Sequence, residues 1–494
     1  MQKKFLTNLG LILFLNLLVK PFWVLGIDRS VQNAVGAEDF GFYFSILNFS
    51  FLFNILLDLG ITNFNNRNIA QNNQLLNKHF SSILVLKIIL LFIYVIVTFL
   101  IGFIIGYDTA QFKLLGWVAF NQFLLSFVLY LRSNISGLLM FKTESLLSVL
   151  DRLLMILFCS ILLWGNVTDS EFKVEWFVYT QTAAYLLTAL TALTIVINKA
   201  SFKRLNWNRP FLIMILKKSF PFALLVLLMA QYNRIDTVFI ERLLPGNTGE
   251  QQSGVYAQAF RLLDAANMIA YLFAVLLLPL FSRMIKLKQS VENLVRLSFS
   301  LLFTVSVIAA IGSFFFNHEI MSWLYPVHPG ETSTAYSLRI NQSAIIYGLL
   351  MFGFVAVSSV YVFGTLLTAN GSLKTLNIIA GIGVVISIVL NVTLIPKFQA
   401  IGSAYASLTA QFVTALLQVI AVLTIFKFRK NYKFLSVLLI FVLGVILITW
   451  FSKQLPLDWK INFVIMLFVS VILSVSLRLL SVKQFVEIIK SEKG

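Results

Sequence analysis

Long apolar runs alternate with short polar segments over the whole chain. Each run is at least roughly 18 residues long, which is enough for a helix to cross the hydrocarbon core of a bilayer. The pattern therefore predicts an all-α polytopic membrane protein with about 14 transmembrane helices. The predicted spans are 6–27, 40–62, 80–106, 113–140, 146–164, 174–197, 218–242, 254–280, 294–316, 340–367, 376–395, 400–426, 434–451 and 461–481.

The composition agrees with this class of protein. Hydrophobic residues make up 59% of the chain and charged residues only 12%, which is not the balance of a soluble globular protein. The single cysteine, Cys159, excludes an intrachain disulfide. The three histidines lie far apart in sequence, so we expect neither a metal site nor a cofactor.

The net charge of +18 is distributed unevenly between alternating loops. Lys and Arg concentrate on one side of the predicted spans, whereas loops on the other side hold acidic residues such as Asp28, Glu38 and Asp39. This is the positive-inside pattern and does not indicate a nucleic-acid-binding surface. It predicts cytoplasmic termini, a cytoplasmic basic connector over 198–217, and an uncleaved first helix.

Two adjacent spans between Lys217 and Phe281 carry polar residues that are costly inside a membrane. They are Gln231, Arg234 and Asp236 in the first span and Gln258, Arg261, Asp264 and Asn267 in the second. The last four recur every third residue and form one polar stripe on a helix. A guanidinium at the bilayer centre costs roughly 2.5–3.5 kcal/mol. Two interpretations remain open: Arg261 and Asp264 neutralise each other, or the stripe is a cationic wall of a transport cavity.

Two spans of the first half carry cations of the same kind. Asn16 and Lys20 share one face of the first span, and Pro21 is expected to bend it. Asn121 and Arg132 share one face of the fourth span. The alternatives are a Lys20 that snorkels outward from a kinked span and an Arg132 that anchors the helix at the interface.

Other charged residues near span ends are expected to be anchors. Lys87 and Arg478 are predicted to snorkel toward the interface. Asp58 is placed near the inner end of the second span, and the adjacent Asp151 and Arg152 at the cytoplasmic end of the fifth.

An internal repeat divides the chain. Gly41-Phe42-Tyr43 opens the second span and Gly254-Val255-Tyr256 opens the eighth, an offset of 213 residues. The same offset relates the starts of the first and seventh spans, as in transporters that hold substrate between two repeats. The predicted divisions are helices 1–6 over 1–197, the connector 198–217, helices 7–12 over 218–426, and two further helices with a tail over 427–494.

Enzyme motifs are missing from the sequence. There is no Walker A loop, no HExxH and no G-x-S-x-G. A transporter is therefore favoured over an enzyme. The alternative from a different class is a membrane-embedded sugar transferase or ligase, for which the candidate groups are His318, Glu319, His328 and Glu331.

Several segments resemble bacterial polysaccharide flippases. They are Asp39-Phe40-Gly41, Asp58-Leu59-Gly60 and Arg67-Asn68-Ile69-Ala70 near the N-terminus, Gly254-Val255-Tyr256 through Pro279 and Arg283, and Asn370-Gly371, Lys374, Asn391, Leu394-Ile395-Pro396 and Ile401-Gly402-Ser403-Ala404-Tyr405-Ala406. Their order and spacing are similar to those of the Wzx-type branch of the multidrug/oligosaccharidyl-lipid/polysaccharide exporter superfamily. The resemblance covers nearly the whole chain.

This resemblance implies two pseudo-symmetric six-helix lobes in a V, like those of multidrug exporters, plus two C-terminal helices. It also implies that the protein moves a polyprenyl-diphosphate-linked oligosaccharide across the bacterial cytoplasmic membrane, such as an O-antigen unit for lipopolysaccharide. A polysaccharide polymerase or ligase is the partner protein that the resemblance implies. The alternatives within the superfamily are a multidrug exporter and a lipid II-type flippase.

The residue chemistry agrees with a diphosphate-linked sugar as the substrate. Arginine offers a planar fork to diphosphate oxygens, and amides bind sugars by hydrogen bonds. The predicted substrate-binding residues are Lys20, Arg132, Arg234, Arg261, Asn16, Asn121, Gln231, Gln258 and Asn267. Asp264 or Asp236 is the predicted ion-coupling carboxylate, and Pro21 is the predicted hinge.

Overall fold

The fold is all-α over the part of the chain that the structure describes. The computed structural model describes residues 14–16, 18, 19, 21–62, 65, 69, 73–138, 140–165, 172–200, 207, 209–328, 330–428 and 431–480, and these contain no strand. The predicted fold class is thereby confirmed. Lys20, both chain termini and residues 201–206 and 208 of the predicted connector 198–217 lie outside the described residues.

Thirteen α-helices follow one another along the described chain. They are α1 (Arg29–Leu52), α2 (Leu75–Ile104), α3 (Thr109–Gly137), α4 (Phe141–Trp164), α5 (Val174–Lys199), α6 (Arg209–Leu243), α7 (Thr248–Lys286), α8 (Glu292–Phe315), α9 (Asn317–Leu324), α10 (Ser333–Ala369), α11 (Leu373–Phe426), α12 (Tyr432–Lys453) and α13 (Trp459–Ser476). A π-helical segment, Trp23–Asp28, leads into α1, and a 3-10 turn, Asn54–Leu57, follows it.

Ten helices among the described residues are long and apolar enough to cross a membrane. Nine of them each coincide with one predicted span, and α11 contains two. The other three predicted spans, 6–27, 40–62 and 254–280, do not meet the same criterion of length and hydropathy among the described residues. The chain is therefore a multi-pass membrane protein, and the count of about 14 spans stays a prediction.

Backbone breaks explain why helices and predicted spans differ in number. Within α1, Gly36 has φ 87° and ψ 170°, a conformation that glycine adopts without strain, so α1 continues across the boundary between the first two predicted spans. Within α11, Gln399 has φ 53° three residues after Pro396 and lies between the predicted spans 376–395 and 400–426. Each long helix is thus two helical pieces joined at a kink.

The chain forms two compact units. Unit 1 comprises Met1–Glu241 with Asn247–Gly254, and unit 2 comprises Arg242–Gly246 with Val255–Gly494. Helix α6 belongs to unit 1 up to Glu241, whereas the predicted repeat places residues 218–426 in the second lobe. The two lobes therefore stay a prediction. Within unit 2 the last two helices are part of the core, because Phe441 of α12 and Met466 of α13 pack with Ile311 of α8.

The repeat-related glycines meet each other within unit 1. A Cβ on Gly41 would collide with the carbonyl oxygen of Glu250, and a Cβ on Gly254 would collide with that of Ala37. Residues 37 and 250 are separated by 213 positions, as are residues 41 and 254. The contact is therefore reciprocal, as at a local pseudo-two-fold axis, and small residues let the two helix backbones touch.

A second contact agrees with this symmetry. Gln251 Nε2 donates to Glu38 Oε2 at 3.3 Å, and residues 38 and 251 differ by the same offset. A pair of equivalent residues that touch each other must lie close to the axis that relates them. The two segments that suggested the repeat thus contact each other where α1 meets the first turns of α7, and the repeat itself stays a prediction.

Candidate functional site

A half-buried guanidinium lies within unit 1. Arg152 lies in the middle of α4, which is a candidate membrane span. Its guanidinium carbon is 5.6 Å from the ring centre of Trp23 and 5.9 Å from that of Tyr185. Its Nη1 also lies 3.4 Å from the Tyr185 hydroxyl. Two aromatic faces stabilise the cation in a region where water is scarce.

The carboxylate beside Arg152 compensates its charge weakly. Asp151 Oδ2 is 3.8 Å from Arg152 Nε, at the outer limit of an ion pair. The side chain of Arg152 keeps 25% of its surface exposed although it lies at mid-helix. The guanidinium is therefore positioned by aromatic rings and still accessible, which suits it to bind an anionic group.

Two amide side chains elsewhere in unit 1 are also held by hydrogen bonds. Gln181 Nε2 of α5 donates to the Tyr43 hydroxyl at 3.0 Å, and Tyr43 packs edge-on against Phe177. Asn16 Nδ2 donates to Ser148 Oγ at 3.1 Å. The first span, α1, α4 and α5 thus contribute hydrogen-bonded polar side chains to unit 1.

The π-helical segment brings a further polar pair inside the protein. Asp28 is 1% exposed, and its Oδ2 accepts a hydrogen bond of 2.9 Å from Gln32 Nε2. The prediction that Asp28 lies in an exposed outward loop is wrong, because helical structure continues past residue 27 through the segment Trp23–Asp28. This segment begins two residues after Pro21, the predicted hinge.

Two predicted site residues of α3 are held by specific partners. Asn121 Nδ2 donates to the Val178 carbonyl at 3.2 Å, and Asn121 Oδ1 accepts from Thr182. Arg132 Nη2 pairs with Glu144 Oε1 at 2.6 Å. Because α3 extends to Gly137, Arg132 lies within the helix and does not mark its end.

The predicted residues of α6 face α1 within unit 1. Arg234 lies 5.3 Å from the ring centre of Phe51, and Gln231 Nε2 donates to the Leu52 carbonyl at 3.4 Å. Asp236 is 1% exposed, and its neighbour Thr237 accepts a hydrogen bond from Asn48 at 3.0 Å. These groups collect where α1 ends.

The predicted polar stripe of α7 belongs to unit 2. Gln258 is 1% exposed, and its backbone carbonyl accepts a hydrogen bond of 3.1 Å from Tyr325. Its side-chain amide has no hydrogen-bond partner among the residues described. Arg261, Asp264 and Asn267 are half-buried.

Sequence patterns assigned two cations wrongly. Lys87 does not snorkel: it is 1% exposed, and its Nζ pairs with Asp58 Oδ1 at 2.7 Å. Arg152 is not a charge at a helix end, because α4 begins at Phe141 and places it at the helix centre. Apolar sequence on both sides of Lys87 and of Arg152 could have indicated that each residue lies inside a span. Arg478, by contrast, is exposed, as expected of an anchor.

The two carboxylates of the transferase alternative are engaged in ion pairs. Glu331 Oε1 accepts from Arg339 Nε at 2.8 Å, and Glu319 Oε1 pairs with Lys453 Nζ at 3.0 Å. Where the structure places side chains, no three His, Cys, Asp or Glu residues group as metal ligands. The arrangement is that of a structural loop anchored by salt bridges.

This loop predicts a pH-dependent contribution to stability. Two hydrogen bonds from Arg339 hold the pKa of Glu331 below its usual value. A carboxyl whose pKa is lower in the folded state stabilises the fold above its unfolded pKa, and this contribution disappears as pH falls through the folded pKa. We expect Glu331→Gln to lower the melting temperature by about 2–4 °C at neutral pH, with a difference that shrinks toward acid.

Thermal unfolding of the purified protein in a pH series tests this expectation. Glu292→Gln is the control, because Glu292 pairs with Arg296 on an exposed helix face, where ion pairs contribute little. A Glu331→Gln difference that is constant over the whole pH range would mean that packing, and not charge, is lost.

Three solved structures share the fold. Lipid II flippase MurJ in an inward closed conformation has 15% sequence identity and a TM-score of 0.67, over 94% of this chain and 98% of its own. An inward-facing multidrug resistance MATE family transporter of the MOP superfamily has 14% identity and a TM-score of 0.61, over 82% and 94%. A MOP superfamily transporter from Pyrococcus furiosus has 14% identity and a TM-score of 0.54, over 86% and 95%. Identities this low establish the fold and not the substrate.

Sequence comparison identifies the family. None of the curated proteins compared with the chain matches it. The family described as "Polysaccharide biosynthesis protein" matches residues 29–285, just over half of the chain. The predicted relationship to a polysaccharide family is confirmed by this match, and the predicted fold is confirmed by the solved structures. The chain belongs to the polysaccharide biosynthesis protein family.

Proposed function

We propose that this protein is a flippase that moves a polyprenyl-diphosphate-linked oligosaccharide from the inner to the outer leaflet of the bacterial cytoplasmic membrane. The observation that carries the proposal is the set of guanidinium groups within the spans of a polysaccharide biosynthesis family member. Arg152 is flanked by two aromatic rings and Arg234 by one. Arginine is suited to diphosphate because its fork matches two oxygens at once.

Amide side chains of each unit suit the sugar part of the same substrate. Gln181, Asn16 and Asn121 are ordered by hydrogen bonds within unit 1. In unit 2, the buried amide of Gln258 lacks a partner among the described residues, and a sugar hydroxyl would satisfy it. The proposed binding set comprises the predicted residues and Arg152, which the structure adds to it.

The transport cycle is proposed to use one hinge and one titrating carboxylate. Pro21 removes a helix hydrogen bond directly before the π-helical segment, which lowers the cost of bending there. Asp264 is the proposed ion-coupling group, with Asp236 as the alternative. On this proposal the protein is not an enzyme, both termini are cytoplasmic, and a polymerase or ligase consumes the flipped substrate.

Deletion of the gene tests the function. We expect loss of a surface polysaccharide and accumulation of its lipid-linked precursor on the cytoplasmic side, because synthesis continues while translocation stops. Radiolabelled precursor extracted from the membranes measures the accumulation. Wild-type protein supplied from a plasmid should reverse both effects.

The alternatives predict different results from the same strain. The similarity in fold to MurJ favours a lipid II-type flippase as the second candidate. That function requires that the protein restore growth when the host's own lipid II flippase is depleted. A multidrug exporter would change resistance to cationic drugs and leave the polysaccharide intact, and a transferase would change the structure of the precursor itself.

A further inference from the structure

The second transmembrane segment is broken in the interior of unit 1. Helix α1 ends at Leu52, and the chain continues through the 3-10 turn Asn54–Leu57. Leu59 (φ 46°) and Gly60 (φ 78°) then adopt left-handed backbone conformations that end the turn. A break of this kind frees backbone carbonyls, and each needs a partner at membrane depth.

Lys87 supplies that partner. It lies near the middle of α2, a candidate span, and it is 1% exposed. Its Nζ donates to the Leu57 carbonyl at 2.9 Å, to Asp58 Oδ1 at 2.7 Å and to Ser126 Oγ at 3.1 Å. An ammonium group has three N–H donors, and all three are used here.

The oxygen atoms around Lys87 Nζ are themselves held in place. Ser126 Oγ donates to the Leu57 carbonyl at 3.2 Å. The Asp58 carboxylate accepts from the Thr62 backbone N–H at 3.3 Å and from the Thr62 hydroxyl. The ring of Tyr130 lies 5.8 Å from the ammonium on a further side. The Leu57 carbonyl, the Asp58 carboxylate and the Ser126 hydroxyl thus form a cage of oxygen atoms around the ammonium group. Hydrogen bonds connect this cage, so Lys87 and Asp58 are not an isolated ion pair.

The three oxygens form the donor set of a monovalent-cation site. Broken membrane helices coordinate transported or coupling ions with unwound backbone carbonyls and side-chain oxygens. Here a carbonyl, a carboxylate and a hydroxyl converge on one positively charged nitrogen. The single negative charge of Asp58 balances a single positive charge.

We propose that this helix break is an intramembrane site for a small monovalent cation, and that the chain fills it permanently with the ammonium group of Lys87. The wild-type site therefore exchanges no ion, and any coupling ion of the transport cycle acts elsewhere. Removal of the Lys87 side chain beyond Cβ converts the cage into an exchangeable site for Na⁺ or for a primary ammonium ion. The inference goes beyond the proposed function and does not depend on the substrate.

The test compares thermal unfolding of the full-length wild type and Lys87→Ala in detergent. Melting temperatures are measured in NaCl, in n-propylammonium chloride and in choline chloride at equal ionic strength. n-Propylammonium replaces the atoms that the substitution removes, and choline is too large for the cage. We expect Lys87→Ala to melt roughly 5–15 °C below the wild type in choline, because the half-buried Asp58 carboxylate has lost its counter-charge.

Small cations should then restore part of this loss. At ~100 mM Na⁺ or n-propylammonium we expect recovery of at least about 3 °C, rising with the logarithm of concentration. The wild type should melt at the same temperature in all three salts. A stable Lys87→Ala protein whose melting temperature is equal in all three salts would overturn the proposal.

Lys453 offers a matched control within unit 2. Its Nζ pairs with Glu319 Oε1 at 3.0 Å, contacts the Phe315 carbonyl, and lies 5.4 Å from the Phe316 ring centre. The contacts are of the same types as those of Lys87, but 40% of this side chain is exposed. Lys453→Ala should therefore shift the melting temperature by no more than about 2 °C, equally in every salt.

A double variant keeps the test decisive if Lys87→Ala does not fold. Lys87→Ala with Asp58→Asn removes both charges, so we expect a protein that folds and melts at one temperature in all three salts. If this double variant is also lost from the membrane, Lys87 acts through its volume and the proposal fails. If the double variant folds whereas Lys87→Ala does not, the cage requires a positive charge, as proposed.

Discussion

Gly41→Ala and Gly254→Ala are each expected to eliminate the folded protein. In both cases the new methyl group would occupy the position of a backbone carbonyl oxygen on the partner helix. A backbone cannot rotate away as a side chain can, so α1 and α7 would have to separate along the crossing. We expect a destabilisation of roughly 3 kcal/mol or more, which is enough to unfold a marginally stable protein.

The measurement is the yield of monodisperse protein after detergent extraction, followed by its melting temperature. Gly381→Ala is the matched control, since Gly381 also lies in a long membrane helix but has no atom within 4 Å of its added Cβ. Alanine favours a helix by about 0.5–1 kcal/mol relative to glycine, so the control should be equal to or more stable than the wild type. Wild-type yield and stability in both crossing variants would show that the helices do not touch there.

Arg152→Ala, Arg234→Ala and Arg261→Ala are each expected to reduce export of the polysaccharide at least tenfold. Loss of one charge-assisted hydrogen bond to a diphosphate costs about 1.5–3 kcal/mol, which corresponds to a tenfold or larger loss of affinity. The protein should remain in the membrane, because cation–π contacts contribute only about 0.5–2 kcal/mol to stability. Surface polysaccharide and membrane-bound protein are quantified in the same cells.

Arg296→Ala provides the control for these variants. Arg296 makes the same kind of aromatic contact, 5.7 Å from the Phe434 ring centre, and pairs with Glu292 at 3.1 Å near the start of α8. It lies outside the proposed binding set, so export should stay at the wild-type level. Arg152→Lys separates charge from geometry, since lysine keeps the charge but not the planar fork. Normal export by the Arg152 and Arg234 variants would refute the cation assignment, and loss of the folded protein would assign them to structure.

The helical class and the positions of the spans were predictable because the bilayer imposes one simple rule. Backbone groups in hydrocarbon must be paired within a helix, so each crossing needs a long apolar run. The repeat was visible for a similar reason, because the Gly-x-Tyr segments occupy equivalent places in two copies. The contact between Gly41 and Gly254 could be seen only in the structure, because a sequence offset does not say how far apart two residues lie in space.

The interior cations show the limit of sequence patterns most clearly. The position of Lys87 and Arg152 along their helices depends on where α2 and α4 begin. Both helices begin five residues before the predicted spans, at Leu75 and Phe141, so both cations lie near the middle of a helix. The partners of Lys87 come from a helix break and from α3, and the aromatic rings around Arg152 come from two other helices.

The sequence by itself determined the class of protein and its apolar spans, because hydrophobic length is a local property of the chain. Only the tertiary structure decided which charges are compensated and which remain accessible. The physical reason is that the free energy of a charge inside a membrane depends on groups contributed by other helices. Lys87 and Asp58, 29 residues apart, form an ion pair only because the chain leaves the helix after Leu52 and places Asp58 beside α2.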